Sequence, residues 1–175
     1  MRRLILVLVC SSVVVPVAAA RGQRPISLGL AGGVSFPQGD LRDAANTGWH
    51  ALGTLALSTL TQPLGLRVDV AYNQFGFSVG DGHQTVSSAT LNGTYRLPMT
   101  NSPVSPYLIA GLGAYRSDCS LAQGCDAVTK FGWNVGLGTK LYVLGFRSFL
   151  EARYHRTKRG DSTVNYFPLT FGLLL

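Results

Sequence analysis

Beyond its first twenty residues this 175-residue chain has no continuous apolar run near the roughly 18 residues that a membrane-spanning helix needs. A helical anchor in the body of the chain is thereby excluded. The sequence also lacks any helical periodicity, lysine-rich tail or compact basic helix, which removes the usual electrostatic signatures of nucleic-acid binding. No linker, low-complexity tract or shift in composition divides it, so one domain is expected. Cysteine is scarce, at three. His50 and His83 have no partners at metal-ligand spacing, and neither a metal nor another cofactor is expected.

The long apolar stretch lies at the start, in MRRLILVLVCSSVVVPVAAA. Arg2 and Arg3 precede the run and Ala18, Ala19 and Ala20 close it, the order of a secretory signal peptide cleaved after Ala20. A retained helix is the competing reading, but Pro16 interrupts the run and no basic stop-transfer cluster follows closely. Cys10 follows Val9, where a lipoprotein signal wants a small residue, so lipidation is not expected. The expected organisation is a signal peptide at 1–20 and one exported domain at 21–175. Loss of Arg2 and Arg3 lowers the formal charge by two, from +7 to +5. That leaves a mildly basic surface suited to anionic lipid headgroups.

Within KFGWNVGLGTKLYV, residues 130–143, the set Phe131, Trp133, Val135, Leu137, Thr139, Leu141 and Val143 alternates with Lys130, Gly132, Asn134, Gly136, Gly138, Lys140 and Tyr142. A period of two over this length marks a strand. The same alternation recurs in about eight segments, at 25–36, 48–60, 65–78, 85–97, 106–116, 128–142, 146–157 and 164–175. In 65–78, Leu66, Val68, Val70 and Tyr72 oppose Arg67, Asp69, Ala71 and Asn73. In 146–157, Ser148, Leu150, Ala152 and Tyr154 oppose Arg147, Phe149, Glu151, Arg153 and His155. The gaps at 37–47, 79–84, 117–127 and 158–163 are polar. Those at 61–64 and 143–145 are tight, while 98–105 is longer than a strict alternation of long loops and short turns would have it.

Greasy faces could meet inside a soluble sandwich, leaving the polar faces in water. That arrangement accounts for neither the apolar balance, with charged residues at only 13%, nor the glycines on the polar faces. A small closed barrel accounts for both, because its interior has little room and glycine there makes space beside aromatics. Lipid outside also demands closure, since an open sheet edge would strand backbone polar groups in hydrocarbon. The expected fold is an all-β, eight-stranded antiparallel up-and-down transmembrane barrel. Phe131, Trp133, Val135, Leu137, Leu141, Phe167, Leu169 and Phe171 are expected to face lipid. A soluble exported barrel of lipocalin type, greasy face inward around a ligand, is the rival.

ISLGLAGGVSFPQGDL, SPYLIAGLGAY, RSFLEARYH and NYFPLTFGLLL, in that order, resemble the outer-membrane β-barrel domain family that includes the small eight-stranded OmpA-like and Opa-like surface proteins. The resemblance covers essentially the whole of 21–175. It implies residence in the bacterial outer membrane among its lipids and lipopolysaccharide, and the barrel assembly machinery as a partner. Members act as anchors, adhesins, narrow pores or structural proteins, so it implies architecture more than activity. Family members usually end on an aromatic residue, whereas here the last aromatic is Phe171 and the terminus reads GLLL.

Arg67, Asp69, Lys140, Glu151 and Arg153 lie mid-strand on the polar faces and are expected to form an interior charge network, since unpaired charges in a water-poor cavity are costly. Such a network would plug the lumen, and its rearrangement would open a narrow ion path. Cys119 and Cys125 lie six apart in one predicted external loop, and in an oxidising periplasm they are expected to pair. His155 and Thr157 place a histidine and a hydroxyl two apart on one strand, the spacing of a lipid A-modifying hydrolase. Threonine stands where such an enzyme has serine, however, and His155 falls on the inward face. His50 and His83 lie near predicted loops and are expected to be solvated. Trp49, Trp133, Tyr107, Tyr142, Tyr154 and Tyr166 fall toward strand ends, as an interfacial girdle would. The function expected is a monomeric structural or surface-interaction protein without a catalytic step, its extracellular ligand unspecified; a narrow pore and a lipid A hydrolase are the alternatives.

Overall fold

The computed structural model describes residues 26–58, 63–78, 82–99, 104–120, 127–159 and 162–175. The expected signal peptide, the cleavage point after Ala20 and the Cys119–Cys125 disulfide lie outside the described residues. Eight strands follow one another: β1 (Ile26–Gln38), β2 (Gly48–Ser58), β3 (Leu64–Gly76), β4 (His83–Arg96), β5 (Ser105–Ser120), β6 (Val128–Val143), β7 (Phe146–Arg159) and β8 (Ser162–Leu174). Each pairs antiparallel with the next, and β1 pairs with β8 from Gly29↔Leu174 to Gln38↔Asn165, closing the barrel. Closure leaves no sheet edge to be satisfied by water.

The period-two pattern sets the wall. Along β3, Leu66, Val68, Val70 and Tyr72 are exposed while Arg67, Asp69 and Asn73 are buried; along β8, Phe167, Leu169 and Phe171 are exposed while Tyr166, Thr170 and Gly172 are buried. The greasy side is therefore the outer side of the cylinder. Phe131 is 87% exposed and Leu137 63%. Val135 and Trp133 share that face, whereas Leu141 is half-buried.

Inward glycines make room for aromatics. A Cβ at Gly138 would sit 2.6 Å from the Tyr107 ring, and one at Gly172 would collide with Phe149. A side chain at either position would expel the ring that fills the lumen there.

The tight gap expected at 143–145 is a hairpin turn, and two other connections depart from the sequence pattern. β6 and β7 are joined by Leu144 and Gly145 alone, at φ 50° and 83°, the doubly positive geometry of a two-residue hairpin turn. β7 runs to Arg159 and β8 begins at Ser162, so only residues 160–161 separate them where a longer loop was expected. The 37–47 segment contains a helix, α1 (Asp40–Ala44), whose five residues are too few to show periodicity in sequence. Its fold is fixed by contacts instead. The Asn46 amide donates to the Gly76 carbonyl (2.8 Å), the Ser78 amide donates to the Ala44 carbonyl (3.0 Å), and the Thr163 amide donates to the Asp40 carboxylate (3.2 Å).

Candidate functional site

The lumen is filled in layers, and the central one is ionic. Arg67 and Asp69 stand two apart on β3, with Glu151 and Arg153 two apart on β7, directly across an eight-stranded barrel. Both strands run in the same sense, so the reversed order of sign brings unlike charges to the same height. Arg67 Nη2 donates to Glu151 Oε1 at 2.8 Å, and Arg153 Nη2 donates to Asp69 Oδ2 at 2.7 Å. Within each strand Arg67 Nε donates to Asp69 (3.1 Å to Oδ2), and Arg153 Nε donates to Glu151 Oε1. All four residues are at most 6% exposed. The Tyr107 hydroxyl completes Glu151 by donating to Oε2 at 2.6 Å, and Asn92 Nδ2 donates to Asp69 Oδ2 at 3.0 Å.

Four of the five residues expected in an interior charge network thus form a closed, neutral square. Lys140 stands apart from it. It is half-buried nearer the end that carries both termini, its ammonium 6.0 Å from the centre of the Tyr107 ring.

Toward the opposite end lies a polar layer that the sequence did not reveal. His50, expected to be solvated, is 4% exposed: its Nε2 is 2.8 Å from Thr170 Oγ1, its Nδ1 is 3.2 Å from Ser35 Oγ, and Ser35 donates to Asn73 Oδ1 at 2.9 Å. The register of β2 against β1, Gly33↔His50, explains the difference, because it sets His50 on the inward parity of the wall. His155 is buried too, stacked on Tyr166 with ring centres 4.8 Å apart and its Nδ1 3.1 Å from the Tyr115 hydroxyl. Tyr115 and Tyr166 belong at the same time to an apolar cap formed with Leu41 of α1, Ala45, Phe75, Val86 and Val164.

These contacts define what the interior can do chemically. Ser35 and His50 are within reach of each other, but the other imidazole nitrogen meets a threonine hydroxyl, so no carboxylate orients the ring as a nucleophile-activating pair requires. His155 and Thr157 both face inward, with Thr157 2% exposed, away from any lipid on the outer wall. Among the described residues no group of three or more His, Cys, Asp or Glu side chains could hold a metal ion.

Of the aromatics expected in a girdle, the structure divides the set between the two sides of the wall. Trp49 meets Tyr72 (ring centres 5.5 Å apart) and Trp133 meets Tyr154 (5.7 Å) in tilted pairs on the outside, and Tyr142 is exposed at the other end, whereas Tyr107 and Tyr166 are inside. Beside and beyond the Trp133 pair the outer wall carries exposed basic residues, Arg156 as the cross-strand partner of Trp133 and Arg116 and Lys158 further along.

A family model described as outer membrane protein beta-barrel domain matches residues 5–173. The fold is similar to that of Neisserial surface protein A (TM-score 0.69, 19% identity, 87% of this chain and 97% of that one). It is also similar to Ail, the attachment invasion locus protein of Yersinia pestis (0.57, 19%, 86% and 97%), and to the N-terminal β-barrel domain of Pseudomonas aeruginosa OprF (0.56, 16%, 87% and 98%). No curated protein sequence matches the chain.

Proposed function

Because the chain belongs to the outer membrane protein β-barrel domain family, and so resides in the bacterial outer membrane, we propose that it serves there as a structural or surface-interaction protein without a catalytic step. The observation that carries this reading is the filled lumen. A four-charge square, a layer of hydrogen-bonded polar side chains and an apolar cap occupy successive levels between the two ends, which suits a rigid plug better than a conduit. The exposed apolar wall supports lipid contact by Phe131, Trp133, Val135, Leu137, Phe167, Leu169 and Phe171, with Leu141 partly shielded. Arg116, Arg156 and Lys158, placed at and beyond the Trp133 pair, suit the phosphates of lipopolysaccharide.

By this reading both termini and the Leu144–Gly145 turn lie in the periplasm and α1 lies outside, following the usual orientation of such barrels. The protein is taken to act as a monomer delivered by the barrel assembly machinery. The signal peptide at 1–20 and the disulfide between Cys119 and Cys125 belong to the same proposal. Alkylation of the unreduced mature protein is expected to label neither cysteine, and labelling of both would remove the disulfide.

Two measurements test the central claim. Mature protein refolded in detergent is expected to migrate differently in SDS gels before and after boiling, and to give no unitary conductance in planar bilayers. Discrete conductance steps would make it a narrow pore, and release of acyl chains from added lipopolysaccharide would make it a hydrolase.

A further inference from the structure

We infer that a polar recess on the outer wall, at the α1 end of β3, β4 and β5, binds one phosphorylated sugar unit of an outer-leaflet glycolipid. Arg116 would hold the phosphate, and the hydroxyls of Tyr72, Thr85 and Ser87 the sugar. The inference deepens the reading of Arg116 given above and rests on it.

Register shapes the recess. Ser87 of β4 pairs with Tyr72 on one side and Arg116 on the other, and Thr85 pairs with Gln74 and Asp118. Short hydroxyl side chains on the middle strand thus lie between long ones on its neighbours, which leaves a trough along β4. Its volume is about 340 Å³, and Tyr72, Thr85, Ser87, Arg116, Asp118 and Ser120 are among its lining residues. That size falls in the range of roughly 300–1,000 Å³ found for small-molecule sites.

The lining points to the class of ligand. Arg116 is exposed and makes no ion pair among the described residues, while Asp118 has an interaction of its own. A guanidinium in that position can grip a phosphate through two parallel hydrogen bonds. Beside it the hydroxyls of Ser87, Thr85 and Tyr72, the last 3.5 Å from Thr85 Oγ1, can each donate and accept, as neighbouring sugar hydroxyls require. Tyr72 is 38% exposed and packs on Trp49, so its ring also offers an apolar face to the sugar's C–H groups. A bare phosphate would meet one cation and leave the hydroxyls unused.

The surroundings of the recess point to a glycolipid as its source. The next outward residue of β4 is Ala89, paired with Val70 and Ala114, and after it comes Leu91, paired with Val68 and Leu112. The floor therefore passes from hydroxyls to small and then large apolar side chains with no charged residue between. A headgroup seated in the trough has its acyl chains against the exposed apolar wall. With α1 outside, as proposed above, this is the leaflet that holds lipopolysaccharide.

The test is titration of the mature protein in neutral detergent micelles with bisphosphorylated lipid A, its dephosphorylated form and phosphatidylglycerol. Fluorescence reports binding: the chain has two tryptophans, so a Trp133→Phe background isolates Trp49, which touches the recess through Tyr72. Saturable binding of lipid A is expected, weakened about tenfold by Arg116→Gln or by removal of the phosphates, the scale of one lost charge-assisted contact. Ser87→Leu, which fills the floor, is expected to abolish it. Lys130→Gln, an exposed change on β6 away from the trough, is expected to leave it unaltered. Absence of saturable binding, or equal affinity in both Arg116→Gln and Ser87→Leu, would overturn the site. Equal binding of phosphatidylglycerol would remove the sugar, and equal loss in Lys130→Gln would mean diffuse charge; either result also overturns it. Gel mobility before and after boiling checks that each variant is folded, and should one recess variant fail, the other carries the test. A barrel that shifts on boiling, conducts nothing and ignores lipid A would lose this site alone and keep its structural role.

Discussion

Glu151→Leu is expected to destabilise the detergent-folded barrel by about 3–5 kcal/mol, the range for removing one partner of a buried ion pair. The side chains are similar in size, so the loss is electrostatic. Glu151 accepts from Arg67, Arg153 and the Tyr107 hydroxyl at 1% exposure. Leucine leaves both guanidiniums to share Asp69 alone and orphans the phenol. Urea unfolding in micelles, followed by tryptophan fluorescence, measures the change. The cause can be isolated by converting Arg67, Asp69, Glu151 and Arg153 together to apolar residues of similar volume, which removes the uncompensated charge and is expected to recover most of the loss. A single substitution that leaves the unfolding midpoint unchanged would mean that Glu151 is not the hub of the square.

Leu137→Arg is expected to cost about 2–4 kcal/mol in lipid bilayers, the penalty for a cation at the midplane of the outer wall of a membrane barrel. Leu137 is 63% exposed and lies between the exposed Phe131 and Trp133 toward one end of β6 and the exposed Tyr142 toward the other. In water such a change at an exposed strand position would be close to neutral. The size of the effect thus separates lipid from solvent on the outer wall. Reversible unfolding from vesicles gives the number, and a value near zero would mean that this face does not meet hydrocarbon. A parallel change at Phe131, on the same face near the strand end, is expected to cost less, because the penalty falls toward the interfaces.

Much of the architecture was legible because one simple rule, alternation, governs every strand. Leu66 and Arg67, or Phe167 and Tyr166, declare opposite faces by identity alone, and lipid outside makes the greasy set outermost. The square was legible in part. Arg67, Asp69, Glu151 and Arg153 were identifiable as interior charges, but their pairing was not, because it depends on the closed barrel setting R-x-D of the third strand opposite E-x-R of the seventh. Lys140 carried the same sequence signal but sits closer to the mouth, a difference of height along the barrel that depends on register.

Height also explains His50, which looked like a loop residue until its pairing with Gly33 brought it inside. Helix α1 was hidden for another reason. Its placement comes from contacts with Gly76, Ser78 and Thr163, residues far away in the chain, and from Leu41 packing into the cap. No local pattern encodes such contacts.

The square has a consequence for how the barrel is completed. β3 and β7 are separated by three strands in either direction around the wall. No hairpin, and no open sheet of neighbouring strands, can bring Arg67 to Glu151 or Arg153 to Asp69; only the curled sheet can. Until β1 meets β8, each strand carries one cation and one anion that can satisfy each other only side by side along the chain. Sealing the seam then exchanges two such local pairs for a four-centre ring in a dry interior, so the attraction across the lumen acts as a clasp on the last step of assembly. A half-formed sheet gains nothing from it and a closed cylinder gains all of it.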